Sequence, residues 1–416
     1  VNLRYTTECS PFITLMRTFT PIKQSKKIIF LLFWSLLLLN SCNDDKPVVE
    51  PPVEDQYLQK SEDVKQFSRE QVLQLANGLS PILGGYIKNG IKVYKLSYKT
   101  KNTDGAEITA SGALIIPVTD KPVSMISVQH GTIREDAAAP SYYNNNTEAA
   151  QFGSLFGSMG YIIAYPDYIG YGESKNLPHP YEHGESLASA SLDMLRAAKE
   201  FLKKQDNVKW DEKLYVAGYS EGGYATMALH KKIEEEAASE FNLRASSCGA
   251  GAYDKTAFMN YIINNNTHGV ASYNALYLWV LLTYDRIYKL NRPASYYFKE
   301  PFATRIAQSG INVNISQSFD TILNESFKTA LNDGNDKGFR DAVADNDVYK
   351  WKPKAPVRLY HGNKDTLVFY FNSENAFNTM KGLGADIQLT TVPDGNHSSS
   401  VLPFLAGTLA FFTSTP

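Results

Sequence analysis

Cysteine is scarce in this 416-residue chain. There are three, Cys9, Cys42 and Cys248. The first two lie in a leader-like stretch, so the folded part is expected to stand without a disulfide. A charge excess is missing as well. Lys and Arg total 41 against 43 Asp and Glu, a balance that offers no basic footprint for nucleic acid. The seven histidines do not fall beside Asp, Glu or Cys at ligand spacing, so no metal is expected. No apolar run reaches the ~20 residues of a membrane-spanning helix, and no internal repeat suggests a propeller. What the chain has in quantity is apolar residues, 43% of the total. That is enough for a large core, in one big α/β domain or two smaller ones.

The N-terminal stretch reads as a leader. Lys26 and Lys27 precede the apolar run Ile28 to Leu39, and small residues follow up to Cys42. That order is the order of a secretory signal. Leu39-Asn40-Ser41-Cys42 resembles a bacterial lipobox. The resemblance implies cleavage before Cys42 and a lipid on its sulfur. Met16 is the expected start of translation, because the signal would then begin shortly before its basic pair. Residues 43–62 begin acidic and proline-rich, "NDDKPVVEPPVEDQ", and are expected to be a flexible tether. Residues 1–42 are thus expected to be leader and lipoprotein signal. Residues 63–416 are expected to be one catalytic domain, held outside the cytoplasm at a bacterial membrane, the outer one and in some cases its surface. Cys248 sits in the small-residue stretch "RASSCGAGAYD" and reads as a buried packing thiol.

From about residue 90 onward, strand and helix patterns alternate. Residues 91–100 and 107–118 read as an antiparallel pair, and 123–131, 161–167 and 213–219 as strands buried on both faces. Amphipathic helical stretches lie between them. Repeated strand–helix units predict a mainly parallel sheet with helices on both faces. About residues 255–350 are too long for one crossover and helical in pattern, and are expected to be an inserted helical lid.

Gly218-Tyr219-Ser220-Glu221-Gly222 fits G-x-S-x-G between a strand and a helix. That context is what a nucleophile elbow needs: a sharp turn flanked by small residues that lifts a serine hydroxyl above the sheet edge. A serine nucleophile needs a base, and the base an orienting acid. In this arrangement the chain order is Ser, acid, His. Only His268, His361 and His397 follow Ser220. His397 lies in a loop between the last strand and the last helix and is the expected base. His361 reads as shaping its turn, and His268 as part of a solvated loop. Asp365, at the C-terminal end of a buried strand, is the expected acid. Asp394 is its rival, but an Asp-Gly pair so close to His397 more naturally caps its own turn. An oxyanion hole needs two backbone N–H donors. Glu221 is expected to supply one and Thr132, in "QHGT", the other.

The stretches "QHGT", "YPDYIGYGES", "HPY", "VAGYSEGGYATM" and "HGNKD" resemble the α/β-hydrolase superfamily, and within it the secretory lipase family of lipase-A-like esterases. The likeness covers about residues 80–416. It implies an α/β-hydrolase fold and cofactor-free hydrolysis of carboxylic esters, the substrate being a small-molecule or lipid ester. The lipoprotein leader and the missing disulfides depart from the fungal members. Three other readings stay open: a serine peptidase of the prolyl-oligopeptidase or aminopeptidase kind, an acyl esterase directed at glycans, and a non-catalytic binding protein on the same scaffold.

Overall fold

The computed structural model describes residues 55–79 and 81–415. Nine strands form one sheet: β1 Leu58–Phe67, β2 Ile91–Lys101, β3 Glu107–Pro117, β4 Val123–Gln129, β5 Ile162–Pro166, β6 Trp210–Tyr219, β7 Asn242–Gly249, β8 Val357–Gly362 and β9 Ile387–Val392. Their spatial order is β1-β2-β3-β5-β4-β6-β7-β8-β9. Strands β1, β2, β3 and β5 pair antiparallel, and everything from β5 through β4 to β9 is parallel. The expected mainly parallel α/β sheet is therefore present.

The sequence explains the central strands directly. β5, Ile-Ile-Ala-Tyr-Pro, is buried at every position, as a strand covered on both faces must be. Helices α1 Arg69–Leu79, α2 Ser154–Met159, α3 Gly184–Leu202 and α4 Glu221–Glu236 lie in the first two thirds of the chain. The helical stretch before β5 begins as a π-helical turn over Ala149–Gly153 and continues as α2. Gly160 ends it at φ 111, the left-handed cap that glycine adopts without strain.

Between β7 and β8 the chain runs through six helices: α5 Lys255–Asn264, α6 Ala271–Ile287, α7 Ala294–Tyr297, α8 Phe302–Ser309, α9 Glu325–Asn332 and α10 Lys337–Asp345. This is the stretch expected to be helical. It has a core of its own, rich in aromatic rings such as Phe258, Tyr284, Tyr297, Phe319, Phe327 and Phe339. Helices α11 Phe371–Gly382 and α12 Val401–Ser414 complete the chain.

One boundary is corrected. The tether was expected to run to residue 62, but β1 begins at Leu58 and pairs along β2 from Leu58↔Tyr98 to Phe67↔Ile91. Its sequence, LQKSEDVKQF, is mostly exposed. An edge strand needs little apolar content because its neighbour supplies the ladder bonds, and its charges guard the open edge. Cys42, the leader and residues 43–54 lie outside the described residues. Cys248 is a free, fully buried thiol on β7, and burial pushes its pKa up.

The connection order places the site. The chain passes from β4 to β5 on one side and then to β6 on the other side of β4. Connections diverge there and leave a crevice outside the carboxyl ends of the strands, where open α/β sheets bind ligands.

Candidate active site

Strand β6 ends at Tyr219 and α4 starts at Glu221, so one residue, Ser220, makes the turn. It has φ 60 and ψ −124, a left-handed conformation that non-glycine residues rarely hold. Its own N–H donates to Gly249 O at 2.9 Å, and the Tyr224 amide donates to Ser220 O at 3.1 Å. The glycines around it permit close packing. A Cβ on Gly222 would stand 2.0 Å from Gln129 O, and one on Gly218 would stand 2.3 Å from Gly222 O.

Three side chains from three loops meet above this turn. Ser220 Oγ lies 2.9 Å from His397 Nε2. His397 Nδ1 lies 2.6 Å from Asp365 Oδ2. An ionised carboxylate only accepts, so Nδ1 carries the proton and donates it. Nε2 is then left as the acceptor for the serine hydroxyl. Asp365 is fixed on its other oxygen by the amides of Leu367 and Val368, at 2.9 and 3.0 Å. Burial alone would raise its pKa. Hydrogen bonds from His361 and His397 overcome that and hold the carboxyl well below its usual range. The structure thus brings Ser220, His397 and Asp365 together as the sequence pattern predicts.

The rivals fall elsewhere. Asp394 sits in a turn at φ 54, its amide donating to Asn363 Oδ1 at 2.7 Å. Among the described residues it forms no hydrogen bond with His397. His268 is exposed. His361 is fully buried, and its Nε2 lies 2.8 Å from Val368 O and 3.3 Å from Asp365 Oδ2. It shapes the turn, as expected, and it also touches the acid. If Asp365 orients the base, Asp365→Asn should lower kcat by about 10⁴, the loss typical of a wrong imidazole tautomer. Asp394→Asn should change kcat little. A steady-state comparison of the two variants decides between the acids, and a larger loss for Asp394→Asn would reverse the choice.

Glu221 follows the serine in the chain, and Thr132 lines the same cavity as Ser220. Their amides donate to no protein acceptor among the described residues, which leaves both free for an oxyanion. The neighbouring Gly131 N–H is already taken, donating to Glu148 Oε1 at 3.0 Å. Glu148 also accepts from Tyr165 OH at 2.9 Å, so this carboxylate holds the loop in place. Thr132 Oγ1 meets Tyr181 OH at 3.0 Å. The Glu221 side chain turns inward to His179 Nε2 at 2.8 Å, and His179 Nδ1 donates to Ile169 O at 2.7 Å. Sequence reasoning assigned no role here to Glu148 or His179. The signal for His179 was the "HPY" stretch; Glu148 has none. Asp167 and Ser174 hold the loop after β5: Asp167 accepts from Ser111 Oγ at 2.5 Å and from the Ser141 amide at 2.7 Å, and Ser174 Oγ accepts from the Gly170 amide at 3.0 Å.

Two cavities open on Ser220. The larger, about 410 Å³, runs between the sheet and the π-helical turn, α2 and α12, past Ile126, Phe152, Phe156, Ala217 and Leu405. The smaller, about 40 Å³, enters the inserted helices past Tyr181, Phe258, Tyr277 and Val280. Leu276 of α6 and Leu367 line both. Among the described residues no group of His, Cys, Asp or Glu could hold a metal ion.

A model of the secretory lipase family matches residues 154–412. Lipase A of Moesziomyces aphidis is 26% identical over 235 residues, covering 52% of this chain and 47% of that one. This chain thus spans about half the length of that relative. Among solved structures, a candidate hydrolase of Legionella pneumophila superposes with a TM-score of 0.77 at 26% identity, covering 86% of this chain and 98% of the other. The rice cell wall degrading esterase LipA of Xanthomonas oryzae gives 0.69 at 22% identity, with 86% and 96% covered. At that identity the likeness is one of fold.

Proposed function

The chain belongs to the secretory lipase family, and from that premise we propose that it is a serine esterase of lipase type, cleaving carboxylic esters through an acyl-enzyme. The hydrogen-bonded series Ser220–His397–Asp365 at the mouth of an apolar cavity carries this reading.

In the proposed reaction His397 Nε2 takes the Ser220 proton as Oγ attacks the ester carbonyl carbon. The carbonyl π electrons move to oxygen, and the Thr132 and Glu221 amides hold that oxyanion. Each such donor is worth about 3–4 kcal/mol of transition-state stabilisation. The N-terminus of α4 adds a favourable dipole at the same point. Asp365 stabilises the imidazolium. Collapse of the tetrahedral intermediate expels the alcohol, which takes the proton from His397 Nε2. Water then enters by the same route, activated by His397, and releases the acid.

Cavity shape supports an acyl chain of some length. The larger cavity is walled mainly by aliphatic and aromatic side chains, and burying a chain there gains roughly 0.8 kcal/mol per methylene. We therefore expect kcat/KM on aryl esters to rise from acetyl towards medium or long acyl groups. A sharp acetyl preference would instead favour a short-acyl esterase, such as one acting on acylated glycans. Serine-independent turnover across the whole series would defeat the reading. The lipid proposed on Cys42 would hold such an enzyme at a membrane surface, outside the cytoplasm.

A further inference from the structure

We propose that the smaller cavity is the subsite for the alcohol portion of the ester, and that Glu182 and Lys255 recognise a free hydroxyl group on it. The inference rests on the esterase reading and names the substrate class at the same site.

An ester has two arms, and two cavities leave Ser220. The larger is apolar and suits the acyl arm. Apart from Ser220 and Met259, the smaller is lined by aromatic and aliphatic side chains and by one charged pair, Glu182 and Lys255. Both are buried, at 5% and 3% exposure, and their side chains form an ion pair. A buried pair of this kind adds little stability over well-packed apolar residues, so its presence beside the nucleophile calls for another account.

The pair is not saturated. An ammonium has three donors. Among the described residues Lys255 Nζ has one hydrogen-bond acceptor, Glu182 Oε2, and lies 4.5 Å from the centre of the Tyr224 ring. Glu182 Oε1 accepts no hydrogen bond among the described residues. The wall therefore holds an unused acceptor next to unused donors. A hydroxyl group both donates and accepts, and it matches. An alkyl group would leave both unmet, a carboxylate would face Glu182, and an ammonium would face Lys255. Burial raises the pKa of Glu182 and lowers that of Lys255, against their mutual attraction. A neutral acid–amine pair would still present a donor and an acceptor.

Both groups are held in place. Glu182 sits at φ 51, and its carbonyl accepts from Tyr284 OH at 2.9 Å. Lys255 is the first residue of α5, whose N-cap Asp254 accepts from the Ala257 amide. Size narrows the ligand. A cavity of about 40 Å³ is a few times the roughly 10–15 Å³ that one water needs. It suits a hydroxymethyl group, while a sugar ring bearing one would stay in the cleft outside it. The substrate class is thus an ester of a polyol with a free hydroxyl near the ester oxygen. Glycerol and the exocyclic hydroxymethyl of a sugar share that chemistry.

The test compares hexanoate esters of three alcohols on the full chain: 2,3-dihydroxypropyl, hexose and n-propyl. We expect kcat/KM to favour at least one hydroxylated ester over the propyl ester by roughly ten- to hundredfold, the range a hydrogen bond to a charged group contributes. Preference for the glycerol ester identifies one source and preference for the hexose ester the other; either supports the subsite. In a Glu182→Met/Lys255→Met double variant, checked for folding by its melting transition, the ratio should fall towards one. Should that variant not fold, Met259→Phe, which narrows the cavity and keeps both charged residues, should lower the same ratio. A wild-type ratio within twofold of one overturns the subsite, as does a folded double variant that keeps the wild-type ratio. Equal, Ser220-dependent turnover of all three esters would leave the esterase reading standing and remove this one. Absence of Ser220-dependent turnover on any ester would remove both.

Discussion

Ser220→Ala should reduce kcat/KM on every ester by about 10⁴ to 10⁶ while leaving the fold intact. The loss follows from what the hydroxyl touches. Its one hydrogen-bond partner among the described residues is His397 Nε2, at 2.9 Å. Removing it deletes the nucleophile, and no other hydroxyl sits within hydrogen-bond reach of His397 Nε2 among the described residues. Stability should hardly change. The residue is half-buried, alanine can occupy the same backbone conformation at similar strain, and one partly solvated hydrogen bond contributes only about 1 kcal/mol. Circular dichroism and the melting temperature should therefore match the parent while turnover vanishes. Loss of both together would mean that the serine is structural.

Gly222→Ala is the second large effect, and it acts through the backbone. The new Cβ would stand 2.0 Å from Gln129 O and 2.8 Å from both Gln129 C and His130 O. All three are main-chain atoms at the end of β4, so no side chain can swing aside. Relief requires α4 and β4 to part by about an ångström, and β4 leads directly into the loop that carries Thr132. A misplacement of that size costs about 10²-fold in rate, and overpacking adds a stability loss of about 1–3 kcal/mol. Gly78→Ala is the control. It lies in α1 with nothing within 4 Å of its added Cβ, and in a helix the change should stabilise by about 0.5–1 kcal/mol. Thermal melts of the two variants should shift in opposite directions, and kcat should fall for Gly222→Ala alone. A Gly222→Ala protein as active as the parent would mean that the turn is looser than its geometry indicates.

Much of the candidate site was legible because its chemistry dictates chain order and small-residue spacing. Gly218 and Gly222 flank the turn at Ser220, where backbone packs too closely for a side chain, and the requirement for acid then base after the serine left few choices beyond Asp365 and His397. The central strands were legible for a similar reason: a strand buried on both faces has to be apolar throughout. What escaped depends on partners distant in sequence. Lys255 and Glu182 are 73 residues apart, and His179 and Glu221 are 42 apart. Nothing local in either stretch announces its partner. Strand β1 escaped because an edge strand stabilised by its neighbour can be polar, and Leu58 to Glu62 looked like more of the acidic tether. The arrangement of the inserted helices was equally closed to pattern reading. Their apolar faces reveal helices, but not which rings meet or where a cavity remains.

The central claim is that Ser220 is an activated nucleophile. Its most direct test is covalent labelling with a fluorophosphonate, followed by peptide mapping of the adduct. The account predicts a single phosphonylated residue, Ser220, formed in parallel with loss of esterase activity and absent from Ser220→Ala. An unlabelled protein that still hydrolyses esters, or an adduct mapped to another residue, would contradict it.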